Sequence, residues 1–380
     1  MFHKFPYEWT LKDTNFTKDK GTIFSCFACG GGSTMGYKLA GFDVLGCNEI
    51  DPKMMEAYKV NHNPKYSFLE PIQTFKNKKD LPVELYNLDI LDGSPPCSSF
   101  STAGNREKNW GKEKKFREGQ AKQVLDTLFF DFIDLAKELQ PKIIITENVK
   151  GILMGNAMKY KSNYVNKIYK AFDKAGYYVQ HWLLNASKMG VPQRRERVFF
   201  ICLRKDLAKP FLHQKDLLTI IPKLNLKFSE SKIIFSKIQE KNVKRNPLIK
   251  SYHKHFKSAN NNGGSYETKN KNHFGYYYKC MKNLVCCTLL SEQQISIEEA
   301  PELLTTSELC KVSTFPLDYN FQKNKPIYIM GMSVPPVMIA QIATEIYNQW
   351  LSKINKNTKN ENKQKRIKRS FGNSKTWLSK

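Results

Sequence analysis

The chain has no apolar run approaching the roughly 20 residues that span a bilayer, so no membrane segment is expected. Residues Met1 to Thr10 lack the apolar stretch of a secretory signal, and a cytosolic location is expected. Acidic residues are scarce: 35 Asp and Glu stand against 61 Lys and Arg, a formal net charge of +26 over 380 residues. That imbalance disfavours an acidic partner-binding module and points to a polyanion, nucleic acid before anionic membrane. Nine cysteines, an odd number with no regular framework, argue for reduced thiols rather than disulfides. Cys26 and Cys29 form a C-x-x-C, but no second pair sits at zinc-finger spacing. Both read as small buried residues, and no metal is expected. The chain also lacks internal repeats.

With 41% hydrophobic and 12% aromatic residues, most of the chain is globular and long enough for a real core. From Gly21 to Leu203, short apolar runs alternate with helical stretches. Strands are predicted at Thr22–Phe27, Val44–Asn48, Leu88–Leu91, Lys142–Thr146, Tyr178–Leu184 and Val198–Leu203. Helices are predicted at Ser33–Ala40, capped by Ser33 or Thr34, and at Pro52–His62, which opens on proline. Two more cover Gln120–Leu139 and Tyr160–Ala175. This alternation predicts an α/β fold whose mostly parallel sheet is covered on both faces.

After Arg204 the composition changes. Residues 204–300 hold 18 Lys and Arg against 8 Asp and Glu, with irregular apolar spacing, and are assigned to a smaller basic domain. Helical patterning returns at Ser307–Ser313 and Pro335–Trp350, so residues 1–203 are completed by 301–350. Residues 351–380 carry ten basic residues and one Glu and are predicted to be a disordered tail.

Four short segments could carry chemistry. A glycine-rich turn, Phe27 to Gly36, lies between the first strand and its helix, where a ligand can approach the backbone at the carboxyl edge of the sheet. Glu49 ends the second strand, placed to bind the ribose hydroxyls of a nucleoside cofactor. These two features do not separate NAD from S-adenosylmethionine. Gly93-Ser94-Pro95-Pro96-Cys97 holds a cysteine on a rigid loop at the same edge, which suits a nucleophile better than a core thiol. Thr146-Glu147-Asn148-Val149 ends another strand and places a carboxyl there for hydrogen bonding. In Gln193-Arg194-Arg195-Glu196-Arg197, alternation sets Gln193, Arg195 and Arg197 on one face, where they could hold a phosphate or a polarised carbonyl.

In this order the segments resemble the DNA (cytosine-5) methyltransferase family of the prokaryotic restriction–modification type, over nearly the whole chain. Leu304-Thr305 through Phe315-Pro316, and Gly331-Met332-Ser333-Val334-Pro335-Pro336, resemble two further motifs of that family. The resemblance implies a Rossmann-like S-adenosylmethionine-dependent methyltransferase fold, with 204–300 as target-recognition domain. Cys97, Glu147, Arg195 and Arg197 would be catalytic. Phe27, Ala28, Cys29, Gly30, Gly31, Gly32, Glu49, Ile50, Ile72, Asp92, Ser333 and Val334 would hold S-adenosylmethionine, leaving S-adenosylhomocysteine as product. Ser98, Arg106, Gln193 and Arg194 would contact double-stranded DNA, and the loop 98–119 would close over it.

The implied reaction is methylation of C5 of a flipped cytosine through a Cys97–C6 adduct, with no metal. A monomer in the cytoplasm, associated with the nucleoid, is expected; the resemblance implies either a restriction–modification pair, with a cognate endonuclease acting on the same site, or equally a solitary or phage-encoded enzyme. Four positions depart from the family pattern: Cys29 and Met332 stand where Gly and Asn are usual, Ser98 where Gln is, and Ser307 where Arg is. The nearest alternative is a tRNA cytosine-5 methyltransferase, a group with little recognition domain. The long basic segment favours DNA. A catalytically silent DNA-binding protein would need neither Cys97 nor Glu147.

Overall fold

The computed structural model describes residues 3–96, 113–114, 123–124, 127–157, 164–216, 219–250, 256, 266–267, 273–274 and 277–357. Its centre is a seven-stranded sheet. The strands are β1 (Thr22–Cys26), β2 (Asp43–Glu49), β3 (Tyr66–Leu69), β4 (Ile90–Gly93), β5 (Ile143–Val149), β6 (Tyr177–Asn185) and β7 (Glu196–Arg204). They run in the order β3-β2-β1-β4-β5-β7-β6. The pairings from β3 to β5 are parallel, and β7 alone runs antiparallel to both neighbours. This is the mostly parallel, doubly covered sheet expected.

Both faces are buried, which is why β5 opens on Ile143-Ile144-Ile145 instead of alternating with polar residues. On one face, α1 (Gly32–Leu39) and the late helix α8 (Pro336–Ile346) pack on Ile23, Ile145, Phe199 and Ile201. On the other, α4 (Leu128–Leu139) and α5 (Tyr164–Lys174) cover Phe24, Leu91, Ile144 and Phe200. Asp51 caps α2 (Pro52–His62) by accepting from the Lys53 and Met54 amides, and Pro52 takes the first position.

Several local expectations are corrected. Helix α1 is preceded by Gly31 at φ 83°, with no side-chain cap from Ser33 or Thr34. The helix expected from Gln120 begins at Leu128; Gln123–Val124 instead pairs antiparallel with Glu113–Lys114. Strand β3 escaped notice because an edge strand of four residues, none fully buried, has no apolar run. The expected start of α5, residues 160–163, lies outside the described residues.

The final helical stretch, Pro326–Asn357, is long and apolar enough by composition to cross a bilayer, but 83% of that window is buried in the fold. It contains α7 (Pro326–Met332) and α8, separated by extended backbone at Ser333. The helix runs past Trp350 to residue 357, and Leu351 and Ile354 are buried in the first core cluster. The start of the basic tail is therefore structural.

Parts of 204–300 are built into the same core. Phe211 and Leu226 join the first cluster. Ile233, Phe235, Leu289 and Ile295 join a third, together with Trp9, Met35, Met54 and Phe315. Arg245 of this segment forms a buried ion pair with Glu308 on α6 (Thr306–Ser313). Glu308 also completes a capping box with Thr305.

Candidate active site at the carboxyl edge of the sheet

The carboxyl ends of β1, β2, β4 and β5 lie side by side, because Cys26 pairs with Asn48 and Gly93, and Gly93 pairs with Thr146. This register brings the β1–α1 turn, Glu49, the start of the Pro95–Pro96 loop and Glu147 to one edge. The β1–α1 turn is tightly bent. Phe27 and Cys29 adopt φ of 55° and 49°, which L-residues rarely take. Cys29 is thus left-handed at the position where the family pattern has glycine.

The glycines beside it are also required by packing within the protein. A Cβ on Gly31 would run into the His62 ring, one on Gly30 would meet Tyr319 and Ile329, and one on Gly32 would lie 2.6 Å from the Val334 carbonyl. The close approach that demands glycine is therefore made by the protein itself, from α2, the α7–α8 junction and Tyr319. Tyr319 Oη donates to the Gly30 carbonyl at 2.6 Å, tying the turn down.

Glu49 is buried, with its carboxylate fixed by backbone amides: Cys29 donates to Oε2 at 2.7 Å, and Ile50 and Asp51 donate to Oε1 at 2.9 Å. Burial raises its pKa, while those amides favour the ionised form. Ala28 packs with Cys47, Met55 and Tyr58. Ser333 Oγ is buried beside Gly32, next to the Cys29 thiol. Val334 lies in the core against α1.

Two residues expected to touch cofactor do something else. Ile72 sits in the second core cluster with Phe24 and Phe75. Asp92 is an internal brace: Ser25 Oγ donates to it at 2.6 Å and Tyr37 Oη at 2.9 Å, binding β1 and α1 to β4. Burial pushes its carboxyl up to about 7.

Glu147 and Arg197 meet at this edge. Glu147 lies opposite Phe199, and Arg197 opposite Val149, so the two side chains are diagonal neighbours on one face of the β5–β7 pair. Arg197 Nε stands 2.9 Å from Glu147 Oε1, with the side chains 14% and 13% exposed. Burial works against the Arg197 charge and Glu147 offsets it. The neighbouring Asn148 donates to the Pro95 carbonyl at 3.4 Å, tethering the Pro-Pro loop to β5. Cys97, Ser98 and Arg106, with the loop 98–119 apart from Glu113–Lys114, lie outside the described residues.

Gln193 and Arg195 are corrected. The Gln193 amide is buried, accepting from Leu289 N–H at 3.1 Å and donating to the Val312 carbonyl at 3.4 Å, so it offers no surface to DNA. Arg195 is 2% exposed and donates to the carbonyls of Leu289 and Gly331, at 2.9 and 3.0 Å. Its guanidinium acts as a clamp joining three chain segments. Arg194, by contrast, is exposed.

A family model described as C-5 cytosine-specific DNA methylase matches residues 21–348. The chain belongs to this family. It spans about half the length of several curated relatives it matches. It is 38% identical over 190 residues to Type II methyltransferase M.FnuDI of Fusobacterium nucleatum, covering 49% of this chain and 47% of that one. To Type II methyltransferase M1.HphI of Haemophilus parahaemolyticus it is 28% identical over 340 residues, 86% of each. The solved structure of Spodoptera frugiperda DNMT2 shares the fold, with a TM-score of 0.59 at 18% identity, over 86% of this chain and 99% of that chain.

Membership in the family makes the missing arginine at Ser307 legible. Glu308 still receives a guanidinium, but from Arg245, 63 residues earlier in the chain. The sequence signal was too weak to find this, since Arg245 is one of 18 basic residues in its segment. Met332, standing in place of the usual Asn, is largely exposed.

Proposed function

We propose that the protein methylates C5 of cytosine within a specific double-stranded DNA sequence, as the modification enzyme of a restriction–modification system. The observation that carries this reading is the Glu147–Arg197 pair at the sheet edge, beside the Pro95–Pro96 loop that leads to Cys97.

Family membership implies S-adenosylmethionine as methyl donor, and the edge fits it. Glu49 accepts three amide hydrogen bonds and so keeps one of a carboxylate's about four acceptor positions for a ribose hydroxyl. The buried Ser333 hydroxyl and the Phe27–Cys29 turn lie beside each other at the same edge. When bound, this cofactor supplies an electrophilic methyl group for C5.

Every other part of the chemistry falls to side chains. Cytosine C5 is a poor nucleophile, and addition of the Cys97 thiolate to C6 moves electron density onto it. Glu147, carrying a proton when the base is bound, then donates to the ring nitrogen N3 and accepts from the exocyclic amine. Arg197 holds the Glu147 carboxylate in place and presents positive charge to the base carbonyl. Arg195 acts as a positioning residue. Water takes the C5 proton, N3 returns its proton to Glu147, and the re-formed C5–C6 double bond expels Cys97 as a thiolate, which completes the turnover. The base must first leave the helix.

Domain roles follow the same reading: 204–300 recognises the target, its apolar residues anchoring it, while Ser98, Arg106 and Arg194 face DNA. Transfer of a tritiated methyl group to duplex DNA, followed by bisulfite sequencing of DNA from expressing cells, tests the reading and yields the site. Transfer to tRNA but not to DNA would replace it with the RNA alternative. A Cys97→Ser variant that still trapped a 5-fluorocytosine duplex covalently would unseat the nucleophile.

A further inference from the structure

Three cysteines with no part in this chemistry lie together behind the arginine strand. Cys280 follows the short strand Tyr277–Lys279, and Cys286 and Cys287 follow the turn after it. Their sulfur atoms all lie within 4.8 Å of one another, and the three residues are 1%, 1% and 3% exposed. The Cys280 and Cys286 sulfurs are 2.7 Å apart. That is inside the roughly 3.5–4 Å separation of non-bonded heavy atoms and well beyond the ~2.05 Å of a disulfide.

A side-chain donor faces the cluster. Gln293 Nε2 points at Cys287 Sγ from 3.7 Å, the kind of N–H···S contact that supports a bound thiolate. A thiolate sealed in an apolar cluster without a cation is costly.

We propose that Cys280, Cys286 and Cys287 form a three-thiolate site for a thiophilic d10 cation of the zinc class. All-sulfur donors select soft ions. With metal–sulfur bonds of about 2.3 Å, three thiolates around one ion sit about 4 Å apart. Binding therefore asks Cys280 and Cys286 to open by roughly 1 Å and keeps all three sulfurs within the span they already occupy. Three S–H bonds break, three protons leave to solvent, and three metal–sulfur bonds form. A disulfide would use only two of the sulfurs and leave the third buried as a thiol.

The consequence reaches the active site. The Cys286 carbonyl accepts from Arg194 N–H at 2.9 Å, and Leu289, three residues on, carries the contacts to Gln193 and Arg195. The ion would lock the turn that backs the arginine strand.

The test uses full-length protein purified under reducing conditions. Addition of Cd2+ is expected to bring one equivalent per chain onto sulfur, seen as an ultraviolet thiolate-to-metal charge-transfer band and as one metal in native mass spectrometry. X-ray absorption on wild-type protein should count three sulfur neighbours, and Cys280→Ser and Cys287→Ser should each abolish the band. The X-ray measurement decides even where a variant fails to fold. No band at saturating Cd2+, fewer than three sulfurs, a band that survives in folded variants, or a native mass two hydrogens low from a disulfide would each overturn the proposal.

Discussion

At the scale of single residues, the carboxyl edge of the sheet separates two acids by environment. Glu147 meets a guanidinium, whereas Asp92 meets the hydroxyls of Ser25 and Tyr37 in a buried pocket. Glu147→Gln keeps the shape but cannot match the charge pairing with Arg197. It is expected to retain S-adenosylhomocysteine binding by calorimetry while turnover falls on the order of 100-fold or more.

Asp92 gives a pH signature. Its carboxyl is raised to about 7 in the folded protein, against about 3.9 in an unfolded chain. Between those values the folded state holds a proton that the unfolded state lacks, so this group's contribution is greatest below about pH 4 and is lost as pH rises through 7. Urea midpoints for Asp92→Asn should therefore vary less than those of wild type between pH 5 and 7.5. Equal slopes would mean that Asp92 titrates normally.

At the scale of elements, the β1–α1 turn is held by protein packing at Gly30, Gly31 and Gly32. Gly31→Ala places a side chain at φ 83° against His62. The left-handed backbone alone costs about 1–2 kcal/mol, so the unfolding free energy from urea titration is expected to fall by at least that amount. Helix α6 depends on a charge from elsewhere. Arg245→Met would leave Glu308 buried and unpaired, at a cost of about 3–5 kcal/mol. Adding Glu308→Gln removes the orphaned charge and should recover part of that loss in thermal melts. An unchanged melt for the single variant would show that the pair contributes little.

At the scale of the molecule, the net charge divides unevenly: +10 in 204–300, +9 in 351–380 and +7 over the rest. The tail has two parts. Leu351 and Ile354 belong to the core, and Lys142 Nζ donates to Asn355 at 2.7 Å. Residues 358–380 carry the remaining net +7. Removing 351–380 should lower the melting temperature. Removing only 358–380 should leave it in place, weaken binding to all DNA sequences alike and flatten the salt dependence. A change in site preference from the shorter deletion would assign the tail a reading role.

Sequence by itself determined the succession of strands and helices and the location of the four active-edge segments. Those features are local: buried strands are short apolar runs, and the turns after them carry Gly, Pro and Glu in fixed order. Only the tertiary structure decided which of the arginines pairs with Glu147, because β7 enters antiparallel beside β5, and no local pattern encodes that neighbour. The same holds for Arg195 clamping a carbonyl 94 residues away, for Arg245 replacing an arginine missing near Glu308, and for three cysteines closing into one cluster. In each case a buried polar group had to find a partner, and packing, not sequence spacing, settled which partner was within reach.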